Sequence, residues 1–230
     1  MRRAIITIGL AILLTGGRAL ATDFYSDGSI VAGDSWSNVS IYDTPPAHTT
    51  VNMTGGLVDG VATHDASTLN VHGGQVIYVT SVWNYSTVNI FDGSLGSASI
   101  HDYASINVYG GTFSQNTVVE DFGIANIMGG TMKSLSSFNY SVTNLYGGSI
   151  TDSIYIGSTT STINVFGSNL TKTDTDGTYG YGQISGFWQN GLPFTIDLAD
   201  PDKYSRINLI PEPATFLLLG AGGLFLRKKG

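Results

Sequence analysis

Cysteine is absent from this 230-residue chain, which excludes a disulfide scaffold, a thiolate metal site and a cysteine nucleophile. Charge is scarce. Asp, Glu, Lys and Arg make up 12% of the residues, where about 25% is usual in a globular domain. Four His stand at 48, 64, 72 and 101, without the spacing that a zinc cluster requires. No phosphate-binding loop, Gly-x-Ser-x-Gly elbow or His-Glu-x-x-His pair occurs, so no cofactor is implied. Glycine is the excess, with 30 residues against a usual share of about 7%. Short runs rich in Thr, Val, Ile and Asn, punctuated by Gly, predict an all-β protein.

The two ends differ from the rest. Met1-Arg2-Arg3, an apolar run from Ala4 to Leu14 and small residues ending Ala19-Leu20-Ala21 have the layout of a secretory signal peptide, with cleavage expected after Ala21. At the other end, Pro211-Glu212-Pro213 precedes an apolar run from Ala214 to Leu226 and the basic cluster Arg227-Lys228-Lys229. A helix over that run would span about 20 Å, short of a hydrocarbon core of roughly 30 Å. It suits a transient inner-membrane tether, with its basic end on the cytoplasmic side. Between Thr22 and Ile210 there are 4 Lys or Arg and 16 Asp or Glu, a formal charge of 4 − 16 = −12. A surface this acidic argues against nucleic acid or anionic lipid as partners.

The order of tripeptide, short apolar helix and basic tail resembles the PEP-CTERM sorting signal of bacterial exosortase substrates. The match lies at Pro211, Glu212, Pro213, the Ala214–Leu226 run, Arg227, Lys228 and Lys229. The resemblance implies export and processing near the tripeptide by a membrane-embedded exosortase. Release or attachment at the surface of a bacterium that makes an extracellular polysaccharide matrix would follow.

The middle of the chain repeats. Asn52, Asn70, Asn89, Asn107, Asn126, Asn144 and Asn164 each sit between apolar neighbours, save for Thr143 before Asn144, at spacings of 18, 19, 18, 19, 18 and 20. Alternation around each Asn predicts a strand with one buried face. The Gly pair that follows in most copies predicts a corner. Six residues after each Asn comes an inward apolar position, namely Val58, Val76, Leu95, Phe113, Met132, Ile150 and Leu170. Five residues before it lies a second corner at Asp65, Asn84, Asp102, Asp121 and Asn139. One such repeat cannot bury enough apolar surface to fold alone, so the repeats must stack. The expected fold is a single-stranded parallel β-helix of about seven coils, on the order of 35 Å long at ~4.8 Å per coil.

The period and Gly-Gly corners are similar to the roughly 19-residue repeats of autotransporter-type adhesins, a resemblance that implies a right-handed solenoid over residues 49–170. The hexapeptide pattern of left-handed helices and the calcium-binding Gly-Gly-x-Gly-x-Asp phrase are missing. Residues 1–21 thus read as signal peptide and 22–48 as a cap or irregular first coil. Residues 171–210 read as a terminal β cap with a hairpin through Asn190-Gly191, and 211–230 as the sorting signal.

Three arrangements offer chemistry. The Asn column is expected to form an amide ladder. Beside it a column two residues on includes Phe91, Tyr109 and Tyr146, so Asn89, Asn107 and Asn144 with these rings make a candidate glycan-facing surface. Asp102 and Asp121 would stack about 4.8 Å apart on neighbouring coils, a carboxylate pair compatible with glycoside hydrolysis. Against catalysis, Asp and Asn favour corners for local hydrogen bonds, and residues 49–170 hold one Lys or Arg, Lys133. Calcium candidates are Asp102, Glu120 and Asp121, and separately Asp174 and Asp176. The expectation is an exported, non-enzymatic β-solenoid of the cell surface or matrix. A carbohydrate-binding module is the alternative, ahead of a polysaccharide hydrolase or lyase.

Overall fold

In Thr87-Val88-Asn89-Ile90 the apolar side chains alternate with polar ones, and the strand Thr87–Ile90 buries Val88 and Ile90 while Thr87 and Asn89 face outward. The same parity holds in Ser105–Val108 and Val142–Leu145. Each of these strands pairs in parallel with its equivalents one repeat before and after, Asn beside Asn. The computed structural model describes residues 19–200 and 204–211. Those residues form an all-β parallel solenoid of about 8 turns, which at ~4.8 Å per turn is a rod of about 38 Å. The apolar run from Ala4 to Leu14 and the tail from Glu212 to Lys229 lie outside the described residues. Among the described residues no helix is long and apolar enough to cross a membrane.

The solenoid is longer than the about seven coils expected from the Asn phrase, because its first and last rungs are disguised. Ser29 occupies the Asn position of the first turn, paired beside Asn52. At the far end Asn208 pairs beside Asn164, although 44 residues separate them. The strand Ala19–Phe24 lies on the first turn, with Thr22 beside Val39 and Phe24 beside Ile41. It therefore spans the expected cleavage point after Ala21, with Thr22, Asp23 and Phe24 paired on the far side of it.

Two corners and a bend close each turn. At the first corner Asp65, Asn84, Asp102, Asp121 and Asn139 all adopt left-handed φ between 54° and 60°, a conformation that Asp and Asn tolerate best after Gly. At the second corner the two glycines serve different needs. The second of the pair, as at Gly111 and Gly130, has φ of +80°. The first lies against the coil below, where a Cβ on Gly129 would stand 2.2 Å from the Tyr109 carbonyl oxygen.

The third bend explains the alternating repeat length. Between paired positions the chain spends one residue at Asp59, two at Ile77-Tyr78, one at Gly96, two at Ser114-Gln115 and one at Lys133. The spacings of 18 and 19 thus differ only by a residue looped outward, and the stacked strands on either side stay in register.

The core is a set of columns. One runs Val51, Leu69, Val88, Ile106, Ala125, Thr143, Ile163 and Ile207, each beside the next. Of the seven inward positions six residues after each Asn, six are buried. Leu170 is only partly buried. Ser168 stands where the other copies have their turning Gly, the positive φ falls one residue later at Asn169 (+50°), and the strand Thr162–Lys172 leaves the repeat pattern. It pairs antiparallel with Gln183–Phe187, which pairs antiparallel with Pro193–Leu198. Gly191, at φ +78°, turns that hairpin, and Pro193–Leu198 drops back onto Ser153–Ile156 in parallel. Buried Trp188 stacks on Phe194 at 3.7 Å and donates its Nε1–H to the Gly148 carbonyl at 3.0 Å, pinning the hairpin to the solenoid.

The hydroxyls of Thr80, Thr117 and Thr143 are buried without a hydrogen-bond partner. An unpaired buried hydroxyl costs about 1–3 kcal/mol. Thr143→Val keeps the shape and removes that cost, so its urea midpoint is expected to rise by the equivalent of about 1 kcal/mol. A fall would mean that the hydroxyl has a partner.

Candidate functional site

The Asn column is one continuous hydrogen-bonded ladder. Nδ2 of Asn70 donates to Oδ1 of Asn52 at 2.9 Å, and Asn89, Asn107 and Asn126 repeat this at 2.9 Å. Asn144 and Asn164 continue it at 2.8 Å, and Asn208 closes it at 2.9 Å. Every bond runs from the later coil to the earlier one. Asn89, Asn107 and Asn144 are half-buried, and each spends one N–H and one oxygen lone pair on its neighbours. A ligand on this face would meet only the remaining N–H and lone pair of each amide.

The rings beside the ladder also face one another. His72 stacks on Phe91 at 4.5 Å and Phe91 on Tyr109 at 4.9 Å, with planes within 4°. Met128 interrupts the column, and Tyr146 then stacks on Phe166 at 4.3 Å. Parallel-sheet spacing of about 4.8 Å brings rings on successive rungs into face contact. Both faces of Phe91 are thus covered by rings, and one face of Tyr109. Sugars stack on ring faces, so a saccharide is offered open faces only where a column stops.

A second aromatic column escaped the reading of the sequence. Tyr85, Tyr103, Phe122 and Tyr140 each follow the left-handed corner residue by one position and stack at 5.3, 4.9 and 5.2 Å. All four are exposed. The signal was present as the pairs Asn84-Tyr85, Asp102-Tyr103, Asp121-Phe122 and Asn139-Tyr140. On the other side of the corner, Trp83 stacks on His101 at 3.8 Å, and Nδ1 of His101 lies 2.6 Å from Glu120.

These contacts define what the carboxylates do. Asp102 and Asp121 lie on neighbouring coils, as the Phe122 N–H to Asp102 carbonyl bond of 2.9 Å requires. The Asp102 carboxylate accepts the Asn84 backbone N–H at 3.3 Å, and that of Asp121 accepts the Asn139 amide at 2.9 Å. Lys133 projects from the third bend rather than from this corner. Asp102, Glu120 and Asp121 are thus each engaged by a neighbouring protein group, and among the described residues no group of three or more His, Cys, Asp or Glu is placed to hold a metal ion.

Asp174 and Asp176 are exposed in the loop before the terminal hairpin. Asp197 organises that loop. Its carboxylate accepts the Thr178 N–H at 3.0 Å and the Gln183 amide at 2.7 Å. The Thr178 hydroxyl first, and then these groups, holds its pKa below the ordinary aspartate value despite some burial. The Tyr179 hydroxyl donates to Asp152.

Of the sorting-motif residues only Pro211 is described, at the end of Ile207–Pro211 beside Gly167. Glu212, Pro213, Arg227, Lys228 and Lys229 lie outside the described residues. Compared with protein-family models, curated proteins and solved structures, the chain matches none.

Asn107→Ala removes two ladder bonds and strands an acceptor on Asn89 and a donor on Asn126. The expected loss of unfolding free energy is about 1–3 kcal/mol, measured by denaturant titration. Asn52→Ala, which removes one bond, should cost less, and equal effects would mean that the ladder does not bear on stability.

Proposed function

We propose that this chain is an exported, non-enzymatic β-solenoid of the bacterial cell surface or extracellular polysaccharide matrix, delivered through its Pro211-Glu212-Pro213 sorting signal. Its action is mechanical: a stiff, acidic, right-handed rod. The observation that carries this reading is the unbroken amide ladder from Asn52 to Asn208, which joins every turn between them by side-chain as well as backbone bonds. The engagement of Asp102 and Asp121 in corner hydrogen bonds supports a structural role for those carboxylates. The signal-peptide layout at the N-terminus and the Pro-Glu-Pro tail support export.

The intact mass of the native protein, taken from the cell-envelope and extracellular fractions, tests the sorting. A mature chain starting at Thr22 and ending near Pro211 is expected. Retention of Ala214 to Gly230 would overturn exosortase processing and make the tail an anchor.

The second reading, carbohydrate binding, draws on the exposed aromatics at Phe91 and Tyr109. It requires that retention on matrix polysaccharide drop when Tyr109 and Tyr146 are changed to Ala. Phe91 covers one face of Tyr109 and Phe166 one face of Tyr146; the rod reading expects unchanged retention, and a clear drop would favour the binding module.

A further inference from the structure

Tyrosine is abundant in this cysteine-free chain, with 12 residues, and its rings are not scattered evenly. Among the described residues two tyrosine rings stack on each other in two places. Tyr25 and Tyr42 have centroids 5.3 Å apart and planes 13° from parallel. Tyr85 and Tyr103 are also 5.3 Å apart, with planes at 9°. Each pair joins neighbouring coils, since the Tyr42 N–H donates to the Phe24 carbonyl and the Tyr85 and Tyr103 corners are one repeat apart. Tyr85 is 67% exposed, Tyr25 58% and Tyr103 54%, so a soluble oxidant reaches them. Every other stacked tyrosine ring meets Phe or His.

We propose that Tyr25/Tyr42 and Tyr85/Tyr103 are sites of oxidative tyrosine coupling, which joins adjacent coils covalently in a protein that has no disulfide available. The oxidant is a peroxidase-type one-electron oxidant driven by hydrogen peroxide. Each phenol gives up one electron and one proton. The two phenoxyl radicals then form a carbon–carbon bond between ring positions ortho to the hydroxyls. The two displaced ring hydrogens pass as protons to the oxygens and restore both phenols. Overall the protein loses two hydrogen atoms and one peroxide becomes two waters. The stack supplies what the coupling needs: two phenols within one side-chain rotation of each other on a rigid backbone, so the second radical need not be found by diffusion. The inference rests on ring geometry and holds whether or not the chain is sorted as proposed.

The test treats the dilute full-length chain with horseradish peroxidase and limiting hydrogen peroxide, follows dityrosine fluorescence, and maps the product by pepsin digestion and mass spectrometry. The expected product is a monomer lighter by two hydrogen atoms, with bonds joining residue 25 to 42 and residue 85 to 103. Tyr103→Phe should abolish the second bond and leave the first, and Tyr42→Phe the reverse. Both substitutions preserve the stack, as Phe122 already does in the same column. Tyr78 and Tyr140 provide the control, since each is 59% exposed and neither stacks on a second tyrosine. Coupling spread over those residues, coupling only between chains, or no dityrosine at all would overturn the proposal.

Discussion

A buried or half-buried amide that must donate and accept in one direction along an axis is best satisfied by another amide a strand spacing away. That requirement sets the terms for this molecule. For Asn70 to reach Asn52, and Asn208 to reach Asn164, each turn must return the chain to the same point. The corners, the inward apolar columns and the ring stacks all follow from that return. Left-handed Asp or Asn at one corner and Gly at the other turn the chain sharply enough. Where Gly gives way to Ser168, the left-handed residue is Asn169, one position later, and the strand goes on to pair with the terminal hairpin.

The same stacking that makes the rod regular limits what its surface can recognise. Repetition places like side chains a strand spacing apart, and at that distance rings cover rings and amides satisfy amides. Ring faces not covered by another ring are therefore left at interruptions, such as the step from Tyr85 to Ala66 and the methionine between Tyr109 and Tyr146. Between those interruptions the outward columns mostly serve cohesion along the axis.

Much of this fold was legible in the sequence because the Asn phrase carries its parity and corners in local chemistry. The strands around Asn70 to Asn144, the inward residues from Val58 to Ile150 and the left-handed corners needed no more than alternation and turn preference. The outer turns were hidden for a physical reason. A rung requires only a small polar side chain at its edge, which Ser29 supplies, and strand pairing is indifferent to the length of chain looped out before Asn208. The column from Tyr85 to Tyr140 was also encoded, one residue past each corner. Its stacking becomes visible only when successive copies are laid above one another in space. Asp102 and Asp121 do lie on neighbouring coils, but the partners of their carboxylates, Asn84 and Asn139, come from flanking rungs of the same corner column.

The alternation of one and two residues at the third bend has a consequence for how such a chain lengthens or shortens. Gly96 fits under Ile77-Tyr78 because it is short where they are long, and a Cβ on it would stand 2.2 Å from the Tyr78 carbonyl oxygen. Deleting a single coil would set two long bends, or two short ones, on top of each other. Deleting a neighbouring pair restores the sequence of long and short, as it restores the distance from Asp65 to Asp102 and from Asp102 to Asn139, 37 residues each, 18 + 19. In the currency of gene duplication, the middle of this rod, from Asp59 to Lys133, counts in pairs of turns, whereas at its first turn one short bend, Ser37, already lies on another, Asp59.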